Sequence, residues 1–283
     1  LEERPAGTDP DAGVRTDHPD RGLPDHPAAE VVRKPHPAVA SAVLPPSLRG
    51  WLGPVAAFAA LVVTVLGIRY AGAGGPGPVD ARIGAALDGA GPPWRQLALA
   101  LDALGEPPGA ATLVFSAVTS CLLLRRPRAA VFLVAAVAAA VGAATLLKHL
   151  AGRTIHGDNL SYPSGHTAFA TAVALVAALL ATGRRGRSRG RDGGRDGNEP
   201  GPGPGRAAAL LLLLAPALAA GAAMGWAEVA LGAHYPTDAL GGGCTALAVV
   251  PAAGWLVDRA ADRAAARAAR KPATAGRPGR GPH

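Results

Sequence analysis

Three short polar clusters hold the residues whose types and spacing could do chemistry. They are Leu147-Lys148-His149-Leu150-Ala151-Gly152-Arg153, Pro163-Ser164-Gly165-His166 and His234-Tyr235-Pro236-Thr237-Asp238. Ser164-Gly165-His166 leads into an apolar run, so free backbone N–H groups and the positive end of a helix dipole are offered to an anion there. Gly165 lets the backbone approach closely, and the Ser164 hydroxyl adds a donor. Lys148 and Arg153 supply full positive charge, the guanidinium being able to grip two oxygens at once. His234 and Asp238 stand four apart and share one face if a helix begins there. Asp238 could then hold one imidazole nitrogen as N–H and leave the other free as a nucleophile. His166 is a second imidazole, available as a general acid. Two histidines around an anion nest, one backed by a carboxylate, point to phosphoryl transfer through a phosphohistidine. With His166, His234 and Asp238 engaged in that way, no metal site is expected.

Each residue has an ordinary explanation when taken alone. Lys148 would be a lysine snorkelling from a helix end, Ser164 a helix cap, and His-x-x-x-Asp a helix ion pair. His149 and His156 read as solvated or supporting residues. The three clusters count because they fall on one side of a membrane although more than eighty residues separate the first from the last.

The elements that must position them are membrane helices. Of 283 residues 49% are hydrophobic and only 17% charged, and the charges are segregated between long stretches almost without them. Soluble domains carry roughly a quarter charged residues, so a soluble enzyme and a disordered chain are both excluded. Apolar runs at Trp51–Ile68, Gly109–Leu124, Ala129–Leu147, Thr167–Thr182, Ala207–Met224 and Ala239–Val257 predict an all-α, polytopic bundle of six transmembrane helices. At 1.5 Å per residue each reaches roughly the ~30 Å of a hydrocarbon layer once flanking residues extend the short ones. Leu97–Leu104 is amphipathic and too brief to cross, and is expected at the interface.

Arginine orients the chain. Arg125, Arg126 and Arg128, the run Arg184–Arg206, and the run Arg259–Arg280 occupy alternate connections and the C-terminal tail. The positive-inside rule puts these in the cytoplasm with both termini, and puts the three polar clusters on the outer face of the cell membrane. Residues 1–50 are expected to be a disordered cytoplasmic tail and not a cleaved leader, 51–257 the membrane domain, 184–206 a flexible loop, and 258–283 a basic tail. The net charge of +8 is thereby assigned to topology, and the basic loop, which lacks interleaved aromatics, to anionic lipid headgroups and not to nucleic acid. Cys121 and Cys244 lie inside apolar runs and read as small packing residues.

The clusters resemble the type 2 phosphatidic acid phosphatase superfamily of membrane lipid phosphatases. Its three motifs are Lys-x6-Arg-Pro, Pro-Ser-Gly-His and Ser-Arg-x5-His-x3-Asp, on a six-helix core, and the resemblance runs from Trp51 to about Val257. Carried over, Lys148, Ser164 and Gly165 bind phosphate, His234 attacks phosphorus, Asp238 orients His234, and His166 protonates the leaving group. The resemblance implies no metal and no cofactor, and a phospholipid or polyprenyl phosphate as substrate.

Both motif arginines are missing. Seven residues after Lys148 stands Ile155, followed by His156, so Arg153 is the only nearby substitute. The Ser-Arg pair becomes Ala227-Glu228, an acid where a cation is expected. Glu228 would have to be protonated, turned away on its helix, or paired, and pairing with Arg153 is the arrangement expected here. The function expected is hydrolysis of a lipid phosphate monoester or isoprenoid (di)phosphate at the outer leaflet. The alternatives are a phosphotransferase using the same intermediate and a non-catalytic protein binding a lipid headgroup.

Overall fold

Eight helices and one minimal hairpin make up the described part of the chain. The computed structural model describes residues 42–45, 48–87, 89, 91–192 and 205–270. In order these form α1 (Arg49–Arg69), α2 (Pro78–Leu87), α3 (Trp94–Gly105), α4 (Pro107–Leu123), α5 (Pro127–Ala151), β1 (Thr154–Ile155), β2 (Asn159–Leu160), α6 (Gly165–Asp192), α7 (Arg206–Ala230) and α8 (Pro236–Arg270). Prolines open α2, α4, α5 and α8, where a missing N–H costs no hydrogen bond. Gly152, at φ 59°, ends α5 by taking the left-handed conformation that a side chain disfavours.

Among the described residues five helices are long and apolar enough to cross a membrane: α1, α5, α6 as far as Thr182, α7 and α8. This is a helical membrane protein. The expected second crossing coincides with α4, which has only 17 residues and none of them buried, so the count of long spans is five and not six. Arg125 and Arg126 cut this apolar run short. The amphipathic segment expected at Leu97–Leu104 is the middle of α3, while α2 was not foreseen. The all-α expectation needs one addition, the antiparallel pair β1–β2, with Thr154 opposite Leu160 and Ile155 opposite Asn159.

α6 is the central helix, packed between α5, α7 and α8. Small residues make that possible: Ala136, Ala140, Ala172, Ala217 and Ala246 are buried, with Phe132, Leu175, Leu179 and Val250 filling the space between them. Large apolar side chains such as Phe58, Ile68, Phe115, Leu123 and Leu146 point outward. An exposed apolar surface of that kind is costly in water and normal against lipid.

Residues just outside 51–257 pack against the helices. Val43, Leu44 and Leu48 are buried in the core, and Asp258 accepts hydrogen bonds from the backbone of Val43 at 2.8 Å and Leu44 at 3.2 Å. Arg49, itself exposed, and the largely buried Arg128 approach Asp258 to 3.1 and 2.7 Å. Residues before 51 thus share the packed core. At the other end α8 runs on to Arg270, because Ala260–Ala269 is rich in the best helix former. The helical backbone of α6 likewise enters the expected loop, to Asp192. Residues 1–41, 193–204 and 271–283 of the expected tails and loop lie outside the described residues.

Candidate active site

The ends of α5 and α7 and the starts of α6 and α8 meet at one end of the bundle, joined there by α2 and α3. After Gly152 turns the chain, Arg153 is carried inward and is wholly buried. Its NH1 donates to Thr237 Oγ1 at 2.7 Å and Asp238 Oδ1 at 2.6 Å, and its NH2 donates to Asp80 Oδ2 at 2.6 Å. The guanidinium lies between the rings of Tyr70 and Tyr235, 4.1 and 4.4 Å from their centroids. Asp80, on α2, also accepts from the Thr237 N–H at 2.9 Å and the Thr237 hydroxyl at 2.9 Å. Burial opposes the charge on Asp80, but Arg153 and Thr237 outweigh it and hold the carboxyl below its ordinary range. Burial raises the Tyr235 phenol, which stays protonated against Arg153.

Pro163-Ser164-Gly165-His166 forms the entry to α6. Ser164 Oγ accepts from the Thr167 N–H at 3.0 Å, a helix cap, and the Ser164 N–H donates to the Asp238 carbonyl at 2.9 Å. The cap and the site are thus the same residue. Gly242 brings α8 against this turn, where a Cβ would clash with the Ser164 carbonyl oxygen. Space beside Gly165 is open. Lys148, half-buried, donates to the Leu160 carbonyl at 3.2 Å and faces the charges of Glu228 and Asp238.

Glu228 stands at the centre. α7 ends at Ala230 and Gly232, at φ 71°, folds the chain back, so that Ala233 N–H donates to the Glu228 carbonyl at 2.8 Å. The carboxylate is buried, and its Oε2 accepts from the Ser164 hydroxyl at 2.5 Å and the Thr167 hydroxyl at 2.6 Å. Its Oε1 lies 3.4 Å from His166 Nδ1 and 3.5 Å from His234 Nε2, with no hydrogen bond formed. His234 Nδ1 in turn lies 3.6 Å from Asp238 Oδ2. Asp238 Oδ2 also accepts from the Tyr235 N–H at 3.1 Å, which fixes the carboxylate at the start of α8.

All seven residues singled out from sequence are therefore close together, but two expectations fail. Arg153 does not pair with Glu228; Asp80 and Asp238 take its donors instead. Nor does it offer a free fork to an anion, since NH1 and NH2 are both bound inside the protein. The idea that Glu228 could turn away rested on an unbroken helix to His234, and α7 stops at Ala230. Asp80 and Tyr70 were missed. They lie on elements preceding the three clusters, and no spacing in the sequence links them to it. His149 is exposed, and His156 Nε2 lies 2.8 Å from the Gly232 carbonyl.

An apolar cavity of about 470 Å³ opens beside the polar centre, between α6, α7 and α8. Thr167 and Pro236 are its polar-side walls, and Leu218, Ala222, Trp226 and Leu240 are among its apolar lining.

Residues 129–261 match the sequence model of the PAP2 superfamily. This segment belongs to the PAP2 superfamily. The PAP2 segment runs from α5 to α8 and contains every residue from Lys148 to Asp238 discussed above, including Glu228; Asp80 and Tyr70 lie before it. The superfamily matched by this segment is one of phosphatase-type membrane proteins. No curated protein and no solved structure matches the chain.

Proposed function

We propose that this PAP2 protein hydrolyses a lipid phosphate monoester or an isoprenoid (di)phosphate at the outer leaflet of the cell membrane, through a phosphohistidine on His234. The observation that carries this reading is the pair of imidazoles facing one anion position, with Asp238 behind His234. The Glu228 carboxylate holds that position in the free protein, accepting from Ser164 as a phosphoryl oxygen would. A substrate phosphoryl group displaces it and takes the donors of Ser164, the open N–H groups at Gly165, and the charge of Lys148. His234 Nε2 then attacks phosphorus, and its Nδ1–H faces Asp238. His166 Nδ1, on the opposite side, protonates the departing oxygen, and water later releases phosphate from His234.

Arg153 has a different part from the one its position in the sequence suggested. It acts through Asp238, fixing the carboxylate that orients His234. The cavity beside Thr167 suits one hydrocarbon chain of the substrate, with the phosphate held at its polar end.

Sidedness follows from charge. With α4 as a sixth crossing, which 17 residues (roughly 26 Å) permit in a thin or locally adapted bilayer, both termini are cytoplasmic and the site is outside. Release of inorganic phosphate from a panel of phosphatidate, phosphatidylglycerophosphate and polyprenyl diphosphate in detergent tests the reading. Hydrolysis of at least one, lost in His234→Ala, is expected. No release from any of them would leave headgroup binding, and release only when an acceptor alcohol is added would mean a transferase.

A further inference from the structure

We infer that Glu228 takes up a proton when an anion enters the site and, as a neutral carboxylic acid, donates it to a phosphoryl oxygen where the family motif has an arginine. This role rests on the anion position assigned above, and the carboxylate itself marks that position. Glu228 Oε1 lies 3.4 Å from His166 Nδ1 and 3.5 Å from His234 Nε2, buried and without a hydrogen bond. A phosphoryl group between the attacking nitrogen and the proton-donating one is therefore in contact with Oε1. On the other side Oε2 is held by the hydroxyls of Ser164 and Thr167, at 2.5 and 2.6 Å.

Three responses to an incoming phosphoryl group are open to this carboxylate. Staying ionised sets a negative charge against the phosphoryl oxygens, the opposite of what phosphoryl transfer needs. Withdrawing finds no polar space. The Glu228 backbone is fixed, its carbonyl accepting from the Ala233 N–H at 2.8 Å. Beside Thr167 lies the apolar cavity, walled on α7 by Gly225 and Val229, where an ionised carboxylate would lose its water and gain no partner. Taking a proton removes the repulsion and turns a misplaced acceptor into a donor. Neutral carboxylic acids serve as hydrogen-bond donors in this way at other buried anion sites.

The surrounding charges argue the same way. Lys148 of α5 faces Glu228, as do His166 of α6 and His234, with Asp238 behind it at the start of α8. Glu106 of α3 meets the far nitrogen of the His166 ring at 3.6 Å, and Arg153 is engaged by Asp80 and Asp238. With one lysine in place of a lysine and two arginines, the site is matched to a phosphate that arrives carrying one proton. A monoester, whose second ionisation falls near about pH 6, brings that proton itself. The proton passes from the phosphate to Glu228 Oε1 and is held in the O–H···O bond between them. His234 Nε2 then bonds to phosphorus, the ester P–O bond breaks, and the leaving oxygen takes its proton from His166 Nδ1. Water attacks the phosphohistidine and returns a proton to His166. The freed phosphate departs with the proton of Glu228, which restores the carboxylate.

Infrared difference spectroscopy on the full chain in detergent tests this role without turnover, with calorimetry to follow binding. Sulfate is the probe, a tetrahedral anion with no proton of its own near neutral pH, so the proton must come from solvent. Saturating sulfate should produce the C=O band of a protonated carboxylic acid and remove a carboxylate band. The new band should shift in deuterium oxide and in protein whose glutamate side chains carry ¹³C at the carboxyl. It should be absent in Glu228→Gln and remain in Glu106→Gln. Saturable binding with no such band, or with a band that ignores the glutamate label or survives Glu228→Gln, overturns the role of Glu228 and leaves the anion site standing. No saturable binding of sulfate overturns both. The labelled wild-type chain decides the matter even if Glu228→Gln does not fold.

Discussion

The Ser164 hydroxyl donates a 2.5 Å hydrogen bond to Glu228 Oε2, so the serine that should hold a phosphate oxygen holds a carboxylate of its own chain. The acid that replaces the motif arginine is neither turned away nor paired with Arg153. It occupies the anion position, between the two imidazoles and under the Thr167 hydroxyl.

Removing that charge should make room for an external anion. Two unit charges about 4 Å apart near a protein surface repel by roughly 4 kcal/mol, part of which rotation of the side chain relieves. Glu228→Gln should therefore bind inorganic phosphate at least about tenfold more tightly, about 1.4 kcal/mol. Calorimetry on the two proteins measures the difference. Equal affinity in the two proteins would show that phosphate binds elsewhere.

The Asp80–Arg153–Asp238 triad should set acid stability. The Asp80 carboxyl is held below its ordinary 3.8, so its contribution is present above that value and is lost as pH falls through the lower, folded one. Thermal unfolding in detergent should therefore drop steeply below about pH 4. Asp80→Asn should be less stable at neutral pH by roughly 3–5 kcal/mol, since it breaks a buried pair, and should show a shallower acid dependence. Parallel pH profiles would show that Asp80 has no part in acid stability.

A bulky side chain in the apolar cavity should discriminate between substrates by their tails. Ala222→Trp projects into the space beside Thr167. It should raise KM for a long-chain lipid phosphate about tenfold or more and leave hydrolysis of a short, water-soluble phosphate ester near its original rate. Equal losses on both would mean that the cavity does not receive the tail.

Much of this site is legible in the amino-acid sequence, and the reason is local. Ser164-Gly165-His166 must cap a helix wherever it lies, and His234 and Asp238 are too close along the chain to separate. Two arginine-rich connections and an arginine-rich C-terminal stretch set the expectation that the clusters share one side. What is not legible comes from elements far apart in the chain. Asp80 reaches Thr237 across 157 residues, and nothing in Pro78-Val79-Asp80 announces that partner. The destination of Glu228 depends on where α7 stops, and a break at Gly232 reverses an answer obtained by helix arithmetic. The 17-residue α4 shows the same limit, since apolar length alone does not decide whether a helix crosses.

Sidedness can be read chemically. With Cys121 and Cys244 replaced by serine, a cysteine at the exposed Asn159, in β2, should react with an impermeant maleimide added to intact cells. One at the exposed Ala264, near the end of α8, should react only after the membrane is opened. The reverse pattern would place the site in the cytoplasm and exclude substrates of the outer leaflet.

The central claim is that His234 carries the phosphoryl group, and rapid quenching tests it most directly. Purified protein is mixed with a ³²P-labelled lipid phosphate for milliseconds, denatured in alkali, and the label on protein is counted. The expected result is a phosphoenzyme that survives alkali and is lost in acid, absent in His234→Ala and slower to form in His166→Ala with poor leaving groups. A His234→Ala protein that still takes up acid-labile label would contradict it.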